Sequence, residues 1–408
     1  MAAMDKSVMP PLDAFGLDYL RLVLEIDAHH MDGYVDSYYG PDTIKAEVEA
    51  APPQKPEALL ATVADLQARI PDVDPVREQY LRAELRAIEC TVRMLNHETF
   101  DYLDEVYHIY DVRPTLVDDS RFEATHRELD RVLPAGKDGA TLAERLDAWH
   151  KRFEIAVEKA LPLLELVRAE TYQRTTTLID LPYNESIEVT LVRDRPWGAY
   201  NWYLGNGRSL IEFNTDIPLQ ATSLLGTFAH EGYPGHHTEA MLKERALYLQ
   251  KGYAEQAAMR LHSPAAVIAE GIATTALDMI FPGGEHHQWN AEFLFPAAGI
   301  AADGTTAETL HGVSEAGEAL RYVTGNAAIL YHTGQINREQ AIEYIRTYGL
   351  ATAARAAKSF DFLSHPLYRS YIFTYSIGHD LIMNTADPVT TFRRLLTEQV
   401  LPSHLITL

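Results

Sequence analysis

Apolar residues recur every three to four positions through most of the first half of the chain, a spacing that predicts amphipathic helices. Leu81, Leu85, Ile88, Val92 and Leu95 make one such stripe, and Leu142, Leu146, Trp149, Phe153 and Val157 make another. Breaks fall at Pro52-Pro53, at Pro71 and over residues 134–139, each too short to be a flexible linker. The period then changes. Between about residues 186 and 214, Ile187, Val189 and Leu191 alternate with Glu188 and Thr190, as a half-buried strand requires. Gly205-Asn206-Gly207 supplies a turn between residues 199–204 and 209–214, so two of the strands are expected to form a hairpin. Beyond Pro218 the helical period returns and holds almost to the end, with no internal repeat or low-complexity segment. The pattern predicts a mainly α fold with one small β-sheet. It also predicts one packed body over residues 1–408, with an N-terminal helical lobe over 1–185 and the sheet and remaining helices over 186–408.

Charge narrows the classes of partner. The 408 residues carry a formal net charge of −23, and no run of Lys or Arg reverses it locally. Phosphate backbones and anionic lipid surfaces would be repelled, so neither nucleic acid nor membrane is an expected partner. An apolar share of 47% with 23% charged residues is that of a globular protein with a sizeable core. Cys90 is the single cysteine, so neither an intrachain disulfide nor a thiolate metal cage can form. Residues 1–14 have no apolar segment behind a basic start, and no stretch approaches eighteen consecutive apolar residues. A cytoplasmic location is the expectation.

The candidate chemistry centres on His230-Glu231-Gly232-Tyr233-Pro234-Gly235-His236-His237. Gluzincin peptidases hold zinc with the two histidines of H-E-x-x-H on one helix face and a Glu from a later helix, while the Glu of the motif activates water. Here two extra residues separate His230 from the next histidine, and Gly232, Pro234 and Gly235 interrupt the helix. In an unbroken helix a residue at i+6 lies about 120° out of line, and one at i+7 is aligned but roughly 10 Å further along. A bulged turn at the Pro-Gly break would bring His236 back to the usual position. His236 is therefore favoured as second ligand over His237, which is given a role behind the ligands or toward the substrate. For the third ligand, Ser263-Pro264 marks a helix start and Pro282-Gly283-Gly284 a stop, with Glu270 between them among Ala269, Gly271, Ile272 and Ala273. A carboxylate in so apolar a helix needs a partner, which a cation would supply, and its small neighbours would let another backbone approach. The plainer alternatives are a chance His-Glu pair, of the kind of the adjacent histidines His29-His30 and His286-His287, and a Glu270 that partners a buried Arg.

His-Glu-x-x-Pro-Gly-His-His followed by Glu-Gly-x-Ala resembles the bacterial family catalogued as domain of unknown function 885, grouped with gluzincin-type metallopeptidases. The likeness is best over residues 210–279. Tyr375-Ser376-Ile377-Gly378 looks like that family's Tyr-x-Ile-Gly segment, and residues 33–41, Gly-Tyr-Val-Asp-Ser-Tyr-Tyr-Gly-Pro, look typical of one branch. The angiotensin-converting, thimet and thermostable carboxypeptidase families carry Gly immediately before the second zinc histidine, and Gly235-His236 matches that pair with two residues inserted before it. The resemblance implies a helical two-lobed gluzincin-like metallopeptidase fold, the small sheet beside an active-site cleft, and a short strand binding substrate in extended form, with residues 209–214 as its candidate.

With Zn2+ on His230, His236 and Glu270, Glu231 is the expected general base for hydrolysis of a peptide or small amide. Phenols of the run Tyr368, Tyr371 and Tyr375 are candidate oxyanion donors, Tyr375 first and Tyr371 second, with Arg369 and His379 as further candidates. Hydrolysis of a non-peptide amide or ester, or metal and peptide binding without turnover, are the competing functions.

Overall fold

The computed structural model describes residues 11–72, 74–182, 184–195, 197–301 and 306–406, so most of the 1–14 segment read above for targeting lies outside them. The mainly helical expectation holds. The first long stripe is one helix, Pro75–Leu95, capped by the Asp74 carboxylate and burying Leu81, Leu85, Ile88 and Val92. The second stripe is two elements. A helix ends at Lys151, and the next, Val157–Leu178, begins after a short extended stretch. There the Phe153 carbonyl accepts from Ala221 N at 2.8 Å and Ile155 N donates to the Leu219 carbonyl at 2.8 Å. Docking against the 219–221 segment overrides the helical period, and Val157 ends up exposed.

Three strands follow, β2 (Ser186–Val192), β3 (Ala199–Tyr203) and β4 (Arg208–Asn214), after an earlier strand β1 (Val35–Tyr38). β3 and β4 form the expected antiparallel hairpin, in register Tyr203 to Ser209. The Glu244 carboxylate fixes its turn, accepting from Asn206 N at 3.0 Å and Gly207 N at 3.3 Å. β2 pairs parallel to β4, so the order is β2-β4-β3, with β4 in the centre and β3 at an edge. The 209–214 segment, expected to bind substrate as an extended strand, already has both its edges paired. That expectation is corrected: β2 and β3 are the edge strands of this sheet, and β3 is the one that lines the cavity described below.

A second sheet was not expected. β1 pairs antiparallel with β5 (Ala258–Arg260), tying residues 35–38 to 258–260. Neither strand announces itself, because all four residues of β1 are half-buried and β5 is three residues long, too short for a period of two to show. Buried ion pairs fasten the same region: Arg260 to Glu84, and Arg77 to Glu255 at 2.8 Å.

The helix that carries Glu270, Pro264–Ile280, runs through the core. It starts where Ser263 accepts from Ala266 N, as its cap predicts. Its small residues serve a close crossing with the Phe373–Met383 helix. A methyl carbon on Gly271 would lie 2.7 Å from the Gly378 carbonyl oxygen, and one on Gly378 would lie 2.4 Å from that of Val267. Only glycines allow backbones this near. Gly271→Ala or Gly378→Ala should therefore destabilise the fold by about 1–3 kcal/mol through overpacking, read as a lowered midpoint in chemical denaturation. No single described helix is long and apolar enough to cross a membrane, although the bent pair Pro264–Ile280 and Pro282–Ala298 passes on composition. The first of these is buried along most of its length.

Candidate metal centre and its cleft

The helix Ala221–Glu231 ends at the Glu of the motif, and a new helix, His236–Lys243, begins at the second histidine. Between them the chain doubles back. Gly232 N donates to the Phe228 carbonyl at 2.8 Å and Gly235 N to that of Ala229 at 2.9 Å. Gly235 passes so close to the helix end that a Cβ there would sit 2.0 Å from the His230 carbonyl oxygen. Any side chain at 235 would push His236 away from His230, which is the physical reason for glycine before this histidine.

This fold-back brings the rings of His230 and His236 to a centroid separation of 4.7 Å at 90°. Glu270 faces both from the core helix: His230 Nε2 is 3.5 Å from its Oε2 and His236 Nε2 is 3.8 Å from its Oε1. One ligand atom from each of the three lies within 4.8 Å of the others. Those separations are too long for hydrogen bonds. They suit a shared ion, because ligands at 2.0–2.1 Å in tetrahedral array stand about 3.4 Å apart. Glu270 Oε2 is buried with no hydrogen-bond partner. The two imidazoles keep 22% and 25% of their surface open to a cavity, yet lie deep in the molecule. Burial pushes His236 down to about 4 and holds His230 well below its usual value, so both stay neutral with lone pairs to give. Burial drives the Glu270 carboxyl up to about 8 and Glu231 above the carboxylate range, with Glu270 and Asp36 adding to the latter. This pocket is short of positive charge. The donor set, its spacing and the orphaned oxygen fit a divalent metal such as zinc.

His237 is elsewhere. It is fully buried, with Nδ1 2.8 Å from Ser209 Oγ and Nε2 3.1 Å from Glu185 Oε2. Tyr233 donates to the same Glu185 oxygen at 2.6 Å. These bonds tie the motif to β4, and the ring is not part of the cavity wall that holds His230, His236 and Glu270.

Tyr371 donates to Glu270 Oε1 at 2.6 Å, which makes it a positioning residue for the carboxylate and not a free oxyanion donor. With a metal ion held by this group, Tyr371→Phe should leave the fold intact and weaken metal affinity about 10–100-fold, measured by competition with a chelator of known affinity. Tyr375 and Tyr368 line the cavity as well. Burial keeps the Tyr375 phenol protonated and able to donate. Arg369 is paired with Glu105, and His379 lies against Asp278 and Asp380; neither lines the cavity.

The cavity has a volume of about 590 Å³, and its wall includes β3 from Ala199 to Tyr203, Asp36 of β1, Glu231, His230, His236 and Glu270. Asn201 reaches from β3 to donate to the Glu231 carbonyl, which ties Glu231 to the sheet. Asp36, Tyr200 and Asn201 were not singled out from sequence. Asp36 lies within the 33–41 motif, and only folding brings it to a cleft nearly two hundred residues away along the chain.

No family model and no curated protein matches this chain. Solved structures similar to it include a candidate lipoprotein of unknown function from Shewanella oneidensis, 12% identical over 96% of this chain and 86% of that one, with a TM-score of 0.51. Another is a candidate lipoprotein from Colwellia psychrerythraea, 14% identical over 87% of this chain, with a TM-score of 0.49. This chain spans 66% of the length of the Colwellia protein. The Shewanella likeness is one of fold alone, carried over nearly the whole of both chains.

Proposed function

We propose that this protein is a zinc-dependent hydrolase of peptide or small amide bonds, a gluzincin-like metallopeptidase with two helical lobes about the cleft. The convergence of His230, His236 and Glu270 beside Glu231 carries the reading. The likeness to the family of domain of unknown function 885 rests on the motif residues, and it enters here as support of the same kind. His230, His236 and Glu270 would hold the zinc, which when bound would supply a Lewis acid to acidify water toward neutrality and polarise a carbonyl.

The chain's own groups do the rest. Glu231, next in sequence to a ligand and open to the cavity, takes the proton of the attacking water and hands it to the leaving amine. Tyr371 orients Glu270, and the Tyr375 phenol donates to the oxygen on which negative charge develops. β3 offers its edge to an extended substrate in the wall of the same cavity. The single buried cysteine and the strong negative charge support a cytoplasmic enzyme without nucleic-acid or membrane partners.

The test is a peptide library with mass analysis of products, run on zinc-loaded protein and after chelation. Cleavage that disappears with chelator and returns with zinc is expected. Cleavage of esters or non-peptide amides alone would replace the peptidase reading, and no turnover of any class would remove it.

A further inference from the structure

The cavity is lined by seven carboxylates and two cations among the described residues. Three of the carboxylates are accounted for by partners: Glu84 by Arg260, Glu239 by Lys243 at 2.6 Å, and Glu255 by Arg77. Glu270 and Glu231 belong to the metal group. Asp36 and Asp32 remain, with no cation of the protein set against either among the ion pairs of the described residues. Asp36 projects from β1 into the cavity with the Tyr200 hydroxyl as its hydrogen-bond partner. Burial pushes its carboxyl up to about 6. It shares the cavity wall with His230, Glu231, His236 and Glu270.

A second feature occupies the same wall. The rings of Trp197, Tyr200 and Trp202 form a cluster at the cavity, with Trp197 and Tyr200 centroids 4.9 Å apart and Tyr200 and Trp202 centroids 4.6 Å apart. Trp202 is 36% exposed although it is a large apolar side chain. Trp197 already has Arg195, which does not line the cavity, 5.6 Å from its ring centre. Aromatic faces beside an uncompensated carboxylate attract cations, since the ring quadrupole and the charge act in the same sense. An uncharged ligand would cover the half-buried Asp36 beside other carboxylates without relief.

We infer that the wall built by Asp36, Tyr200, Trp197 and Trp202 is a subsite for a positively charged group of the substrate, an ammonium or guanidinium held beside the bond to be cleaved. That group is either the free α-amine of a peptide or a basic side chain. The inference rests on the reading of this cavity as a substrate cleft and names the class of substrate it takes. A volume of about 590 Å³ accommodates a short peptide.

The test is equilibrium binding by titration calorimetry to the zinc-supplemented Glu231→Gln variant, in which the amide bonds of the probes are spared from turnover, with three small amide probes. Norleucine methylamide carries a free α-amine, N-acetyl-lysine methylamide a side-chain ammonium, and N-acetyl-norleucine methylamide neither. At least one cationic probe should bind about tenfold or more tightly than the neutral one, the effect expected of one charge-assisted contact. Which of the two wins identifies the source of the charge. Asp36→Asn should bring the cation down to the neutral level with metal content and circular dichroism unchanged. Trp197→Leu, which leaves Asp36 in place, should lower the preference severalfold and serves if Asp36→Asn does not fold. Equal binding of all three probes, or a preference that survives both substitutions, overturns the inference. Binding is read without turnover, so cation preference with an inactive wild type contradicts only the hydrolase, and an active wild type without preference contradicts only the subsite.

Discussion

Glu231→Gln is expected to reduce hydrolysis by about 10²–10⁴-fold while leaving zinc content and fold unchanged. Gln has nearly the shape of Glu and can still hydrogen-bond water, but it cannot take up a proton. The backbone at 231 is held independently of the side chain, because its carbonyl accepts from Asn201. The loss should therefore fall on the rate constant for turnover, with a smaller effect on substrate binding. The measurement is kcat and KM on the best substrate of the library, with metal analysis of the same preparation. Full activity in this variant would show that another group receives the proton.

The adjacent histidines should separate cleanly into metal and fold. His236→Ala removes one of three ligand atoms and should empty the site, since the two remaining protein ligands do not make a zinc centre of the known kinds. Its stability should change little in the absence of metal, because the ring borders a cavity. His237→Ala should do the opposite. It removes a fully buried ring hydrogen-bonded to Ser209 and Glu185, leaving a void and stranded polar atoms, at a cost of about 2–4 kcal/mol. Zinc content in the protein that remains folded should be undiminished. Denaturant titration and metal analysis of both variants check the pair. Zinc lost from His237→Ala and kept by His236→Ala would reverse the assignment.

Local chemistry made part of this legible from sequence. Ser263-Pro264 and Pro282-Gly283-Gly284 bound a helix, and a carboxylate among alanines and glycines pointed to Glu270 and to a close backbone crossing, which Gly271 and Gly378 make. The Pro-Gly break implied a fold-back, and the fold-back places His236 beside His230. What was hidden depends on tertiary neighbours. Strand order cannot be read from alternation, so β4 could not be distinguished from β3 as the strand with a free edge. Spacing along one segment says nothing of which hydroxyl meets Glu270, so Tyr371, ranked second to Tyr375 as an oxyanion donor, could not be recognised as the partner of Glu270. β1 and β5 are too short or too evenly buried to show a period, and with them went Asp36. The stripe from Leu142 to Val157 is helical as far as Lys151, and spacing alone could not show the extended break that precedes Val157.

The most direct test of the account is a crystal of protein prepared without chelator, with anomalous diffraction recorded on either side of the zinc absorption edge. A single anomalous peak is predicted, at bonding distance from His230 Nε2, His236 Nε2 and a Glu270 carboxylate oxygen, with Glu231 alongside but unbound. A zinc-supplemented crystal with no peak among these three residues, or with the ion held by His237, would contradict it.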